Sequence, residues 1–165
     1  MDAKSGAAQN AGSGCLEYGL WTMMTSEQFA EALAETITTI RPRLEIGLDK
    51  VGELAQTMAA SYIGHYQEGW PPLAASTLAD KAAKGFAVPA PLLRTGEMRD
   101  SIKRELDPVE LEVVVGSSDP KALWQERGTS RIPPRPFLGP AMLHALPFAE
   151  ETFGAIAVKI LMMGK

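Results

Sequence analysis

A chain of 165 residues, 45% hydrophobic and 22% charged, has the make-up of one soluble globular domain with room for a core. Its formal net charge of −4 carries no global signature of a nucleic-acid binder. The one cysteine, Cys15, excludes an intrachain disulfide framework and a cysteine-based metal site, and no run approaches the ~18 apolar residues of a membrane span.

Residues 1–22 are rich in Gly, Ala, Ser and Asn and show neither helical nor strand periodicity, so this stretch reads as a disordered tail. The start Met1–Gly6 lacks the basic-then-apolar order of a secretory signal, and Met23-Met24-Thr25-Ser26 reads equally well as the true translation start. A single domain is expected over 23–165.

A long helix is expected from Ser26 to Tyr66, with Ser26 as N-cap and Glu27 in the first turn. Phe29, Leu33, Ile37, Ile40, Leu44, Leu48, Val51, Ala55, Met58, Tyr62 and Tyr66 recur at three- and four-residue steps, which keeps one face apolar throughout. Pro42 should kink the helix or split it, and Gly47, Gly52 and Gly64 should weaken it. A continuous element of that length would reach about 60 Å, so part of it is expected to project onto a neighbouring subunit.

Trp70-Pro71-Pro72 ends this region, and Ser76–Lys84 reads as a short helix closed by Gly85. Phe86–Leu92 holds Pro89 and Pro91 and reads as loop. Thr95 is expected to cap one helical turn carrying Glu97. Alternation of Ile102, Arg104 and Leu106 with charged residues predicts a strand from near Ser101. Val109, Leu111, Val113 and Val115 alternate with Glu110 and Glu112 and predict its antiparallel partner, with Asp107-Pro108 at the turn. Two strands alone are marginal, so helices must cover their apolar face or another chain must extend the sheet. Asp119-Pro120 opens a helix that ends at Gly128. Gly128–Ala141 is a proline-dense connector that neither helix nor central strand can absorb. A last helix from Gly139-Pro140 carries a seam of Met142, Leu146, Ala149, Phe153, Ile156, Ile160 and Met163, with a kink at Pro147. The fold class is therefore α+β: a long N-terminal helix, a small antiparallel hairpin and a C-terminal helix packed on it.

Little in the chain carries catalytic chemistry. His65 and His144 have no partners at metal-ligand spacing, and neither a phosphate-binding glycine loop nor a Gly-x-Ser-x-Gly elbow occurs. Glu31 and Glu35 lie one helical turn apart and read as a solvated face. The expectation is a protein that is not an enzyme and uses no cofactor and no metal. Between Lys121 and Arg135 four basic residues face one acidic residue, Glu126. Arg127, Arg131 and Arg135 suit contacts with a protein partner, contacts with DNA phosphates, or local bonding of loop carbonyls. Pro133-Pro134-Arg135-Pro136 also has the look of a polyproline ligand, although helices on both sides favour an intramolecular role.

Four motifs occur in a telling order: Trp70-Pro71-Pro72-Leu73 with Thr77, Leu78 and Lys81; Leu92–Ile102 with its Leu93-Arg94-Thr95-Gly96 core; Val114-Val115-Gly116-Ser117; and Glu126–Ala141 with Pro134-Arg135-Pro136-Phe137-Leu138. Together they resemble the virion morphogenesis and tail-completion proteins of long-tailed phages and prophages, encoded among the head–tail joining genes. The likeness covers roughly residues 26–165. The Trp70–Lys81 block is like the Mu-like morphogenesis branch, and the Gly-Thr-Ser-Arg run is like the tail-completion branch. The resemblance implies a structural neck or tail protein that works as a ring, with a hexamer favoured, a small sheet and flanking helices. Its partners would be further copies and other connector and tail proteins, with passing contact to packaged DNA and none to membrane. Its place would be the virion, and the host cytoplasm during assembly. Subunit or partner contacts are expected at Arg94, Arg99, Arg127, Arg131, Arg135 and Phe137, with Phe137 and Leu138 also counted as core anchors. The alternative is a nucleic-acid-binding module built on Arg127, Arg131 and Arg135.

Overall fold

The computed structural model describes residues 25–163. The expected disordered tail at 1–22, Cys15 and the alternative start at Met23 lie outside them. Seven elements follow in order: α1 (Ser26–Tyr62), α2 (Ala75–Ala83), α3 (Glu97–Asp100), β1 (Ile102–Asp107), β2 (Glu112–Ser117), α4 (Pro120–Arg127) and α5 (Leu138–Met163). The α+β class expected from the sequence is the class observed.

Helix α1 starts from Thr25, one residue before the expected cap. The Thr25 hydroxyl accepts from the Gln28 amide at 3.2 Å, and the Thr25 amide donates to Gln28 Oε1 at 3.0 Å. This reciprocal capping box satisfies two orphan donors at once. The helix continues as one element through Pro42, so the expected split does not occur. Just before it, the hydroxyls of Thr36, Thr38 and Thr39 donate back to carbonyls one turn earlier. The end comes at Tyr62 and not Tyr66, because Gly64 takes a left-handed φ of 101° and its amide turns to Pro91 O at 2.8 Å.

Strands β1 and β2 pair antiparallel, from Ile102 opposite Ser117 to Asp107 opposite Glu112. The second strand lies further along than alternation suggested. Asp107 Oδ1 accepts from the amides of Val109 and Glu110, and that turn removes Val109 from the ladder and leaves it exposed. One face of the hairpin carries Ile102, Arg104, Leu106, Val113 and Val115 toward α1. Arg104 fixes this contact with a forked bond to Asp49, Nε to Oδ1 at 2.8 Å and Nη2 to Oδ2 at 3.3 Å, and a bond to Gln56 Oε1 at 3.1 Å. At the hairpin tip, Arg41 donates to the carbonyls of Pro108 and Val109.

Glycines in α1 serve this packing. A Cβ on Gly52 would sit 2.5 Å from Val113 Cγ2, and one on Gly47 would sit 3.0 Å from Phe153 Cε1. The cost to helix propensity is thus exchanged for close approach of α1 to β2 and to α5.

Two linked clusters form the core. Val51, Ala55 and Ala145 join α1 to α5, with Val115 of the sheet, Met142, Ala149 and Phe153 packed around them. Ala59, Ile63, Met98, Ile102, Ala122, Phe137 and Ala141 close the other end. The buried side of α5 is therefore set by Ala141 and Ala145. Leu146, expected in the seam, is 50% exposed. Small residues let α5 lie close to α1, so the packed stripe is centred on alanines, not on the larger apolar residues.

Candidate functional site

The connector after α4 folds back on itself. Asp119 caps α4, its Oδ1 accepting from the Lys121 amide at 2.9 Å, with Pro120 in the first turn as expected. Gly128 ends the helix at φ 72°, where a Cβ would strike Pro134 N at 2.9 Å and Ile132 O at 3.0 Å. Within the turn, Thr129 Oγ1 accepts from the amides of Arg131 and Ile132, and the Thr129 amide donates to Ile132 O at 2.8 Å. The Arg135 amide then donates to Gln125 O at 2.6 Å.

Glu126 closes the segment. Its carboxylate accepts from the amides of Phe137, Leu138 and Gly139 at 2.7, 3.0 and 2.8 Å. It thereby satisfies the orphan donors at the start of α5 and places a negative charge at the positive end of the helix. Nothing in the local sequence marks this cap, because the carboxylate comes from eleven to thirteen residues upstream.

The connector forms one wall of a cleft of about 680 Å³, completed by α2, the loop from Ala90 to Met98, and the Lys121 and Gln125 positions of α4. Lys81 of α2 is 6% exposed, and its ammonium donates to the carbonyls of Ala90 and Leu93. Burial pushes its pKa down, and the Arg94 charge adds to the fall. Arg135 is also 6% exposed and donates from Nη2 to Pro71 O at 3.0 Å and Pro72 O at 3.3 Å. Among the described residues, its Nε and the neighbouring Gln125 Oε1 are buried without a hydrogen-bond partner. On the rim, Asp80 pairs with Lys84 and with Arg94, the latter at 3.0 Å, while the Arg94 guanidinium lies 4.9 Å from the Phe86 ring centre. The hydrogen bond from Lys84 holds the Asp80 carboxyl below its ordinary pKa, with smaller help from Arg94.

The six expected contact residues divide. Arg94, Arg131 and Arg135 line the cleft. Arg99 pairs with Asp100 at 3.1 Å on the surface, and Arg127 is exposed outside the cleft. Two of the six do not stand on an outer surface: Phe137 is 0% exposed, inside the core, and Arg135 is held beneath Pro71 and Pro72. A connector tied at both ends by Gln125 and Glu126 turns these two side chains inward. The three arginines at four-residue spacing consequently share no single surface: Arg131 and Arg135 line the cleft, and Arg127 lies outside it. Sequence reasoning missed Lys81 as a buried cation. Its only local signal is that Thr77 and Lys81 lie one turn apart on the side of α2 that faces the cleft.

Among the described residues, no group of three or more His, Cys, Asp or Glu converges as a metal site would require, and no helix is long and apolar enough to cross a membrane. His144 instead meets the Tyr62 ring edge-on, with centroids 6.3 Å apart. No family model, curated protein or solved structure matches the chain.

Proposed function

We propose that this chain is a structural, non-enzymatic protein of the phage head–tail junction. In this reading it assembles as a ring, with a hexamer favoured, and joins or terminates the tail alongside other connector and tail proteins. The motif order from Trp70 to Ala141 points to this class of protein.

The observation that carries the assembly is the first part of α1. From Ser26 to Ile40 the helix keeps its apolar row, yet Leu33 is 46% exposed and Ile37 is 65% exposed. Neither belongs to a core cluster or its packed surround among the described residues. A helix that buries only half of a continuous apolar stripe has the form of half a subunit contact. The hairpin supports the same reading, since both strand edges lack a strand partner among the described residues and suit extension by another copy.

Electron microscopy of particles made without this protein tests the proposal. Unjoined heads and tails, or tails of abnormal length, are expected. Normal infectious particles would overturn it.

A further inference from the structure

We infer that the cleft between α2, the Ala90–Met98 loop and the connector is a docking slot for a short acidic segment of a protein partner. This goes beyond the ring reading and stands on charge and burial alone. The cleft is lined by five basic residues, Lys81, Arg94, Lys121, Arg131 and Arg135, and two acidic ones, Asp80 and Glu97. Five less two leaves a formal +3, on a chain whose net charge is −4.

The two deepest cations are the least compensated. Lys81 and Arg135 each lie within the chain, bonded to neutral carbonyls, and neither forms an ion pair among the described residues. A buried charge without a counter-ion is costly, and it projects a potential into the adjacent concavity that an incoming anion offsets. At the mouth, Arg131 is exposed, has no ion pair among the described residues, and offers a fork matched to a carboxylate.

The shape selects among anions. Leu73, Leu92, Leu93 and Ile132 give the slot apolar walls between the charges. A peptide presents carboxylates and apolar groups at alternating positions and satisfies both. Duplex DNA presents phosphates on a broad convex surface, which cannot reach cations that are only 6% exposed. A cleft of about 680 Å³ also lies within the ~300–1,000 Å³ range of sites that enclose a small ligand or a few residues.

The experiment is fluorescence anisotropy on the full chain, using a labelled Glu-Leu-Glu-Glu-Leu-Glu peptide and its Gln-for-Glu counterpart. Unlabelled acidic peptide, inorganic phosphate and an unlabelled DNA duplex serve as competitors. The acidic peptide should bind, and the Gln version should bind at least about tenfold more weakly. Arg131→Glu should weaken binding about tenfold or more, the loss of one charge-assisted contact. Arg127→Glu makes the same charge change at an exposed site outside the cleft and should alter binding by less than about twofold. Thermal melts confirm that both variants fold. Absence of binding, equal loss in the two variants, equal binding of the Gln peptide, or displacement by phosphate or duplex at lower concentration than by free peptide would each overturn the slot. None of these outcomes bears on whether particles assemble without the protein, so the ring reading stands or falls separately.

Discussion

Along α1, the turns from Gly47 to Ala59 and those from Phe29 to Ile40 repeat residues at the same three- and four-residue steps, yet the first set is buried and the second largely exposed. The residues differ in size. The buried turns use Gly47, Val51, Gly52, Ala55 and Ala59, which let the backbone approach Val113 and Phe153. The exposed turns present Leu33 and Ile37, larger side chains that belong to neither core cluster among the described residues. Periodicity alone says which face is apolar. Side-chain size along that face distinguishes turns cut for close approach to a neighbour in the same chain from turns whose larger residues join neither core cluster.

The packed half is broken most severely from its far side. Phe137 is fully buried against Ala59, Ile63 and Ala141. Phe137→Ala should cost about 3–5 kcal/mol, read as a fall in the urea midpoint with little change in slope. An unchanged midpoint would mean that the connector does not anchor this core.

The close approaches come next. Gly52→Ala sets a methyl against Val113 of a strand that is itself pinned by the ladder, so overpacking should outweigh the gain in helix propensity, for a net loss of about 1–2 kcal/mol. Gly47→Ala meets the ring edge of Phe153, which can rotate aside, and should be near neutral. Equal losses in the two variants would show that α5 is held as rigidly as the sheet.

Asp49 and Arg104 tie the same half to the hairpin, and pH tests that tie. The hydrogen bond from Arg104 holds the Asp49 carboxyl below its ordinary pKa, against a smaller opposing effect of burial. A carboxyl whose folded pKa is lowered stabilises the fold above its unfolded value, near ~3.9, and loses that contribution as pH falls through the folded pKa. Wild type should therefore exceed Asp49→Asn in stability at neutral pH, and the gap should narrow below about pH 4. A gap that stays constant into acid would sink the charge-based account. Asp80 is lowered for the same kind of reason, chiefly by Lys84, and the Asn variant separates the two because only Asp49 is removed.

Much of this architecture was legible in the residues because its signals are local. The Asp119-Pro120 start, the Gly85 and Gly128 ends and the alternation at Ile102–Leu106 each act within a few positions, and each is where it was expected. The cap of α1 was read one residue late: Ser26 is the more obvious candidate, while the capping box runs from Thr25 to Gln28. What the sequence hid was long-range. Glu126 caps a helix from the far side of a loop, and Arg135 turns inward because Pro71 and Pro72 present carbonyls sixty-four and sixty-three residues away. An arginine in a proline-rich loop reads as solvent-facing unless those carbonyls are known. The candidate cleft was legible only in part for the same reason: its rim arginines stand out by charge, while Lys81 looks like any lysine on an amphipathic helix.

The smallest expected effect on folding, and the sharpest test of the contrast, falls on the exposed turns. Leu33→Ser combined with Ile37→Ser removes apolar surface that neither core cluster uses, so the monomer should keep its stability within about 0.5 kcal/mol. If those turns are half of a subunit contact, the same change should abolish concentration-dependent association in sedimentation velocity, while Leu143→Ser, at an exposed apolar residue on α5, should leave association intact. Both variants expose less apolar surface than wild type, so general stickiness would fall in both. Only a contact specific to the first turns of α1 separates them. A monomer destabilised as much as Gly52→Ala would instead place Leu33 and Ile37 in a folded contact of their own chain, and the distinction between the two halves of the helix would disappear.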